Sequence, residues 1–420
     1  MNRRMPFSLC LLSLCFFPLM AAENWPHWRG PGHNGLAAAK ALPTTWGDEH
    51  VLWKTALPGP APSTPIVWKD RIYLTSTAGN DLLLTALDLN GAILWQKKVS
   101  EGNRDYRQGE SNHAAPSPTT DGERIYTFFG TGILAAFDMK GNEQWRVDTQ
   151  KRYGTFGIYF GISNSPLIDD KRLYLPLLHD NAQDVIAFDK KTGAELWRVK
   201  RPSQARQESR HSYASPLFLG EGAQRQLIIH GSDVVSGHNL ENGKELWRSG
   251  GLQKAEYNPF YRFVTTPAAS GDLLIVPSAK RGPVLALKPL QARGDITGKA
   301  EYLIWKRDKG TPDVPSPVIH EGLVYLCDEQ GILTCIDAVS GEVYYQERTH
   351  TQRHRGSPVI ADGRLYLTAM DGVISVVQTG KEFKLLAQNR LETPISASPA
   401  FAGNMMLLRT EKALWAVGQK

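Results

Sequence analysis

Residues 63 to 74 read "STPIVWKDRIYL". A hydroxyl residue and a proline lead into two short apolar runs, and a polar pair, Lys69-Asp70, separates the runs. Two apolar runs about a polar turn describe a β-hairpin. The pattern returns at "PSPTTDGERIYTF", "NSPLIDDKRLYL", "ASPLFL", "TTPAASGDLLIV", "PSPVIHEGLVYL", "GSPVIADGRLYL" and "ASPAFAGNMMLL". Its prolines are Pro65, Pro118, Pro166, Pro216, Pro267, Pro317, Pro358 and Pro399, with steps of 53, 48, 50, 51, 50, 41 and 41 residues. A fixed period of this length marks a repeat architecture.

Each unit continues in the same way. Eight residues beyond the proline stands Tyr73, Tyr126, Tyr174, Ile275, Tyr325, Tyr366 or Leu407, and the fourth unit reaches "LIIHG" after a small insertion. An apolar run then ends in an acidic turn, as in "LTALDLNG", "LAAFDMKG", "VIAFDKKTG" and "LTCIDAVSG". A tryptophan strand closes the unit, carrying Trp95, Trp145, Trp197, Trp247 and Trp305, and weakens to "VYYQER" and "FKLLAQ" later. About fifty residues hold four short strands and their turns. Four-stranded units repeated radially make a β-propeller. The fold expected is all-β, a propeller of eight four-stranded blades.

A ring must join its ends. The eighth unit stops at "LWAVGQK" without a tryptophan strand, whereas "HVLWKTAL", with Trp53, is such a strand lying before the first unit. The N-terminal strand therefore completes the last blade, which removes the exposed edges of an open ring. The tryptophans are read as structural, each packing between neighbouring blades. The organisation expected is a leader at 1–22, a latch and closing strand at 23–60, and the propeller at 61–420.

These repeats resemble the pyrroloquinoline-quinone-like repeat superfamily, whose blades carry a tyrosine, an acidic turn and a closing tryptophan. Within it, "WPHWRGP", "SNHAAPSPTTDGERIYTFFGTG" and "SASPAFAGNMMLLRTEKALWAVG" resemble secreted eight-bladed propellers of planctomycete-type bacteria. The resemblance implies two better-understood kinds of relative, quinone-dependent alcohol dehydrogenases and the propeller lipoprotein of outer-membrane barrel assembly. The dehydrogenases hold the quinone under a ring of two adjacent cysteines, with calcium bound by Glu and Asn and an Asp as base. Adjacent cysteines do not occur after residue 22. No cofactor is expected on this reading. Pyrroloquinoline quinone with calcium is the alternative, and under it Asp313 and His113 are the acid-base candidates.

The chain begins with Arg3, Arg4, an apolar run "FSLCLLSLCFFPLM" and Ala21-Ala22, the pattern of an export leader cleaved near those alanines. Export to the periplasm or beyond is expected, without a membrane-spanning segment. The net charge of +6 falls to +4 without the two leader arginines, and the basic residues are scattered. A nucleic-acid partner is not expected, since it needs a concentrated basic face. A monomer is. Cys327 and Cys335 lie in one hairpin, "VYLCDEQGILTCID". A turn centred on Glu329-Gln330 sets Cys335 opposite Val324, which points the two thiols to opposite faces and away from a disulfide.

Catalytic motifs are absent: no Gly-x-Ser-x-Gly, no His-Glu-x-x-His and no Cys-x-x-Cys occurs. "HTQRH" places His350 and His354 at metal-binding spacing for a helix, but in a loop; "FGTGIL" is a hairpin turn. The better candidate is positional. Loops that enter the innermost strands of a propeller converge at one end of the channel, so residues upstream of each Ser/Thr-Pro should meet there. They include Asn112, His113, Tyr159, Asn164, Arg210, His211, Tyr213, Tyr261, Arg262, Asp313, Arg353, His354, Arg355 and Glu392. Arginine forks grip carboxylates or phosphates, and aromatic rings stack on sugars. The function expected is a non-enzymatic scaffold whose channel mouth takes a protein partner or a small anionic or carbohydrate ligand. The bland alternative is that these side chains tie the loops together.

One stretch stands outside the repeats, "NWPHWRGPGHNG" from Asn24 to Gly35. It lies just upstream of the closing strand and is expected to run beside the first or last blade. There Trp25 and Trp28 bury against that blade as a clasp, and His27 and His33 have no metal partner in view.

Overall fold

The structure is a computed structural model that describes residues 24–254, 256–279 and 282–419. The leader expected at 1–22 lies outside the described residues. Eight blades of four antiparallel strands follow one another around a central channel; seven are hydrogen-bonded in chain order from inner to outer strand, and two sheets carry a fifth strand added in parallel. The first blade is typical: Ile66–Trp68, Arg71–Ala78, Asp81–Asp88 and Ile93–Glu101. The expected closure is present. Val51–Ala56 pairs antiparallel with Ala413–Val417, placing Val51 opposite Val417, and so supplies the outer strand of the last blade.

The register explains the repeat. The residue after each proline faces the tyrosine position of the next strand, as in Ile66 with Tyr73, Leu167 with Tyr174 and Val359 with Tyr366. In the fourth blade the insertion moves this partner to Ile228, opposite Leu217. The acidic turns hold because the Asp88 carboxylate accepts from the backbone N–H of Asn90 and Ala92, while Gly91 takes a left-handed φ of 82°.

Cores form between blades rather than within them. Tyr73, Leu84 and Ala86 of the first blade pack with Ile125, Phe129 and Ala135 of the second, all buried. Each closing tryptophan faces a small residue in its own sheet, such as Ala136 for Trp145. Its indole reaches the acidic turn of the next blade: Trp145 donates to the Lys190 carbonyl at 3.0 Å and Trp305 to that of Ala338 at 3.1 Å. The turn glycine lies flat under the ring, and a Cβ at Gly193 would stand 2.6 Å from Trp145. Trp247 differs. It is fully buried, donates to Gln226 at 2.7 Å, and its strand is flanked by the extra strand Gly294–Asp295.

Two expectations are corrected. Cys335 lies opposite Tyr325, not Val324. Gly331 adopts φ 77° and Asp328 donates to Ile332, so the loop has three residues and the register moves by one. Both thiols therefore share a face, free and buried. The second correction concerns Asn24 to Gly35, which begins beside the first and last blades as expected at Trp25 but then crosses the channel. Trp25 exchanges backbone hydrogen bonds with Val67 of the first blade, and Thr120 of the second donates to the Pro26 carbonyl. Arg29 then donates to the Pro317 and Pro358 carbonyls of the sixth and seventh blades, each at 2.8 Å. Leu36–Ala37 pairs parallel with Ile360–Ala361 of the seventh before the chain climbs to the closing strand. Trp25 is fully buried against Phe401, but Trp28 faces the channel and not a blade.

Candidate functional site

The channel is belted by the hydroxyl residues that precede the prolines. The backbone N–H of Thr64 donates to Ser117 Oγ, Ser117 to Ser165, Ser165 to Ser215, Ser215 to Thr266, Thr266 to Ser316, Ser316 to Ser357 and Ser357 to Ser398, all at 2.9–3.1 Å. Proline next in the chain has no N–H, so this donor is the last one free near the axis, and the neighbouring blade's hydroxyl takes it. Between the eighth blade and the first a buried arginine takes over: Arg409 Nη1 donates to the Ser63 and Thr75 carbonyls at 3.1 and 2.6 Å.

Inside the belt is a cavity of about 180 Å³. Trp28 of the crossing segment bounds it, and Arg107, Glu110, Phe160, Tyr213, Arg262 and Arg355 line it as well. The last group belongs to the mouth formed by the loops upstream of each Ser/Thr-Pro. An arm between the first two blades lies over this mouth, with Asp105–Arg107 paired to Ser111–Asn112. Its Tyr106 packs over Gly161, where a Cβ would stand 2.4 Å from the ring. Glu110 at its tip meets Arg353 at 2.6 Å and Arg355 at 2.5 Å, both from the loop entering the seventh blade.

The remaining charges continue this network. Arg262 contacts Glu208 at 3.3 Å and Asp313 at 3.5 Å. Arg355 also approaches Asp313 and Glu329, each at 3.9 Å. The Phe160 ring lies between Arg262 at 5.1 Å and Arg107 at 5.9 Å. Among the described residues, four guanidinium groups thus face four carboxylates.

Of the residues singled out in the sequence, Tyr213, Arg262 and Arg355 line the cavity, while Asp313 and Arg353 belong to the charge network. The others brace the loops. Asn112 donates to the Pro60 carbonyl and Asn164 to that of Pro176, while Arg210 donates to Asp180. His211 faces the Asp180 carboxylate at 3.1 Å, and exposed Tyr159 packs edge-on against its ring. His113 is clasped between Tyr106 and the Gly102 carbonyl, and His354 bonds the Gln352 carbonyl. Burial pushes the His354 imidazole down to about 4 and lowers those of His113 and His211. Glu392 pairs with Lys54 of the closing strand.

Trp28, Arg107, Glu110 and Phe160 were not anticipated. Arg107, Glu110 and Phe160 sit in the same upstream loops and were reachable by the same rule; Trp28 was not, because nothing local shows that its segment crosses the axis. The belt was visible as the hydroxyl residue before every repeat proline. Among the described residues, no three His, Cys, Asp or Glu side chains converge as a metal site. No helix among them is long and apolar enough to cross a membrane.

Residues 44–155, 160–286 and 232–382 match the family described as outer membrane protein assembly factor BamB. The chain is 20% identical over 339 residues to the outer membrane protein assembly factor BamB of Yersinia pestis, which spans 78% of this chain and 77% of that one. Among solved structures it is similar to BamB from Moraxella catarrhalis, with TM-score 0.63 and 14% identity over 87% of this chain and 99% of that one. A europium-containing methanol dehydrogenase has the same fold, with TM-score 0.71 and 13% identity over 93% and 90% of the two chains.

Proposed function

The chain belongs to the outer membrane protein assembly factor BamB family, and from that premise we propose that it is an exported, non-catalytic scaffold. Its partner is a protein, held on the loop-rich face around the channel mouth. The observation that carries this reading is the pair of large rings left open on that face, Tyr159 at 54% and Phe260 at 61% exposure. Solvent-exposed aromatic anchors are the side chains that protein interfaces use most. The relative named an outer membrane protein assembly factor supports the choice of partner class: outer-membrane proteins or the machinery that inserts them.

The dehydrogenase reading is weaker because the mouth does not fit quinone and calcium. Glu110 in the cavity wall and Asp313 in the same charge network already face two or more arginines each. A divalent cation there would have guanidinium groups as its neighbours, which opposes binding. Cys327 and Cys335 are buried in the sixth blade and are not neighbours in the chain.

Two measurements test the proposal. Co-purification with outer-membrane assembly components is expected, and should be lost in a Tyr159→Ser/Phe260→Ser variant of unchanged melting temperature. The purified protein, given pyrroloquinoline quinone, calcium, alcohols or sugars and an artificial electron acceptor, should neither bind quinone stoichiometrically nor turn over. Turnover would replace the scaffold with an enzyme.

A further inference from the structure

The belt leaves a set of donors unused. Each of its seven acceptor hydroxyls receives a backbone N–H on its oxygen, and none donates its own proton to another atom among the described residues. A serine or threonine hydroxyl carries one donor as well as its lone pairs. The belt therefore offers a ring of O–H donors to the cavity that it encloses.

Further donors border the same space. Trp28 lines the cavity, and its indole N–H is buried with no hydrogen-bond partner. Arg355 also lines it with a side chain only 7% exposed, and its Nε likewise lacks a partner. Among the described residues, the charged ones in the cavity wall are Arg107, Arg262, Arg355 and Glu110, three cations to one anion. Glu208 and Asp313 contact Arg262, and Glu329 approaches Arg355. Buried donors without partners are costly, so a cavity of this kind favours a guest made of acceptors.

We propose that the axial cavity between Trp28 and Arg355 binds one small oxyanion, with the acceptor pattern of phosphate, sulfate or a short dicarboxylate. The belt hydroxyls and the Trp28 N–H supply neutral donors, as oriented N–H and O–H groups do in other anion pockets, and Arg355 with Arg262 supplies charge. Glu110 is the internal competitor: its carboxylate occupies the guanidinium edge that an entering anion would want, and the arm that carries it roofs the path. The site is independent of any partner on the rim.

The test is equilibrium dialysis and calorimetry of the full chain with inorganic phosphate, sulfate and malonate, with glycerol as the neutral control. At least one anion should bind saturably, one per chain, and glycerol should not. Glu110→Gln should tighten binding several-fold by removing the competing charge. Trp28→Phe, which keeps an aromatic face but removes the pyrrole ring with its N–H, should weaken it several-fold, and Arg355→Met about tenfold. If Arg355→Met fails to fold, Trp28→Phe decides alone. The proposal fails if no anion binds saturably up to about 10 mM to the native or the Glu110→Gln protein, since weaker association has no useful specificity. It fails equally if glycerol competes, or if affinity is unchanged by Trp28→Phe.

Discussion

Arg409 Nη1 lies 2.6 Å from the carbonyl oxygen of Thr75 and joins the last blade to the first, at the seam where the hydroxyl belt does not continue among the described residues. The side chain is buried and also reaches Ser63. Arg409→Met removes a charged donor from carbonyls that stay buried, a loss of about 2–4 kcal/mol. Thermal unfolding should report a clear drop in melting temperature. An unchanged value would mean that strand pairing alone holds the seam.

Glu110 and its arginines fix the arm over the channel. Glu110→Gln should raise amide hydrogen exchange across residues 103–112, because the arm loses the charge that holds it to Arg353 and to buried Arg355. Exchange that stays slow would show that Tyr106 on Gly161 suffices to hold the arm.

Trp145 and Gly193 test how the blades grip one another. Trp145→Ala should cost about 3–5 kcal/mol. Gly193→Ala should destabilise too, since the residue has φ 72° and its Cβ would meet the indole. Combined, the two losses should add to less than their sum, because one contact is lost twice. Simple additivity in denaturant melts would contradict this pairing.

Acid should weaken the fold through histidine. Burial pushes His33, His179, His238 and His354 down to about 4 and His230 to about 3. An unfolded chain takes up these protons near pH 6.5, while the folded chain resists until about pH 4, so the unfolded state binds more protons between those values. Stability is full above pH 6.5 and declines as pH falls towards 4. Melting temperatures at constant ionic strength should trace that slope, and a flat profile from pH 6.5 to 4.5 would refute it.

Removing residues 24–35 takes away the Trp25 core contact and the Arg29 crosslinks to two distant blades. A fall in stability of at least about 3 kcal/mol is expected. Unchanged melting would mean that the crossing segment only occupies the channel.

The propeller, its blade count and its closure were legible because each is written as a repeat: Pro65 and its seven counterparts mark the inner strands, and the surplus strand at Trp53 matches a missing one. The mouth was legible only in part. Its position follows from topology, but the pairing of Arg355 with Glu110 is set by the path of an arm that belongs to no repeat. The same holds for Trp28, whose neighbours come from blades far apart in the chain. The register of Cys335 failed for a smaller reason, the left-handed Gly331 that adds one residue to a turn.

The closing strand and its partner end at the same edge of the last blade, where Gly418 donates to the His50 carbonyl at 3.0 Å. A pull on the two chain ends would therefore load the rungs one after another, as in a zipper, instead of all together in shear. The N-terminal end is not free to transmit such a pull: the Trp46 backbone N–H is held by Asn389 at 2.9 Å, and Leu36–Ala37 are laced to the seventh blade. Force applied at the N-terminus would have to strip these anchors before it reached Val51. The stretch between the channel crossing and the closing strand thus also serves as strain relief for the joint that closes the ring.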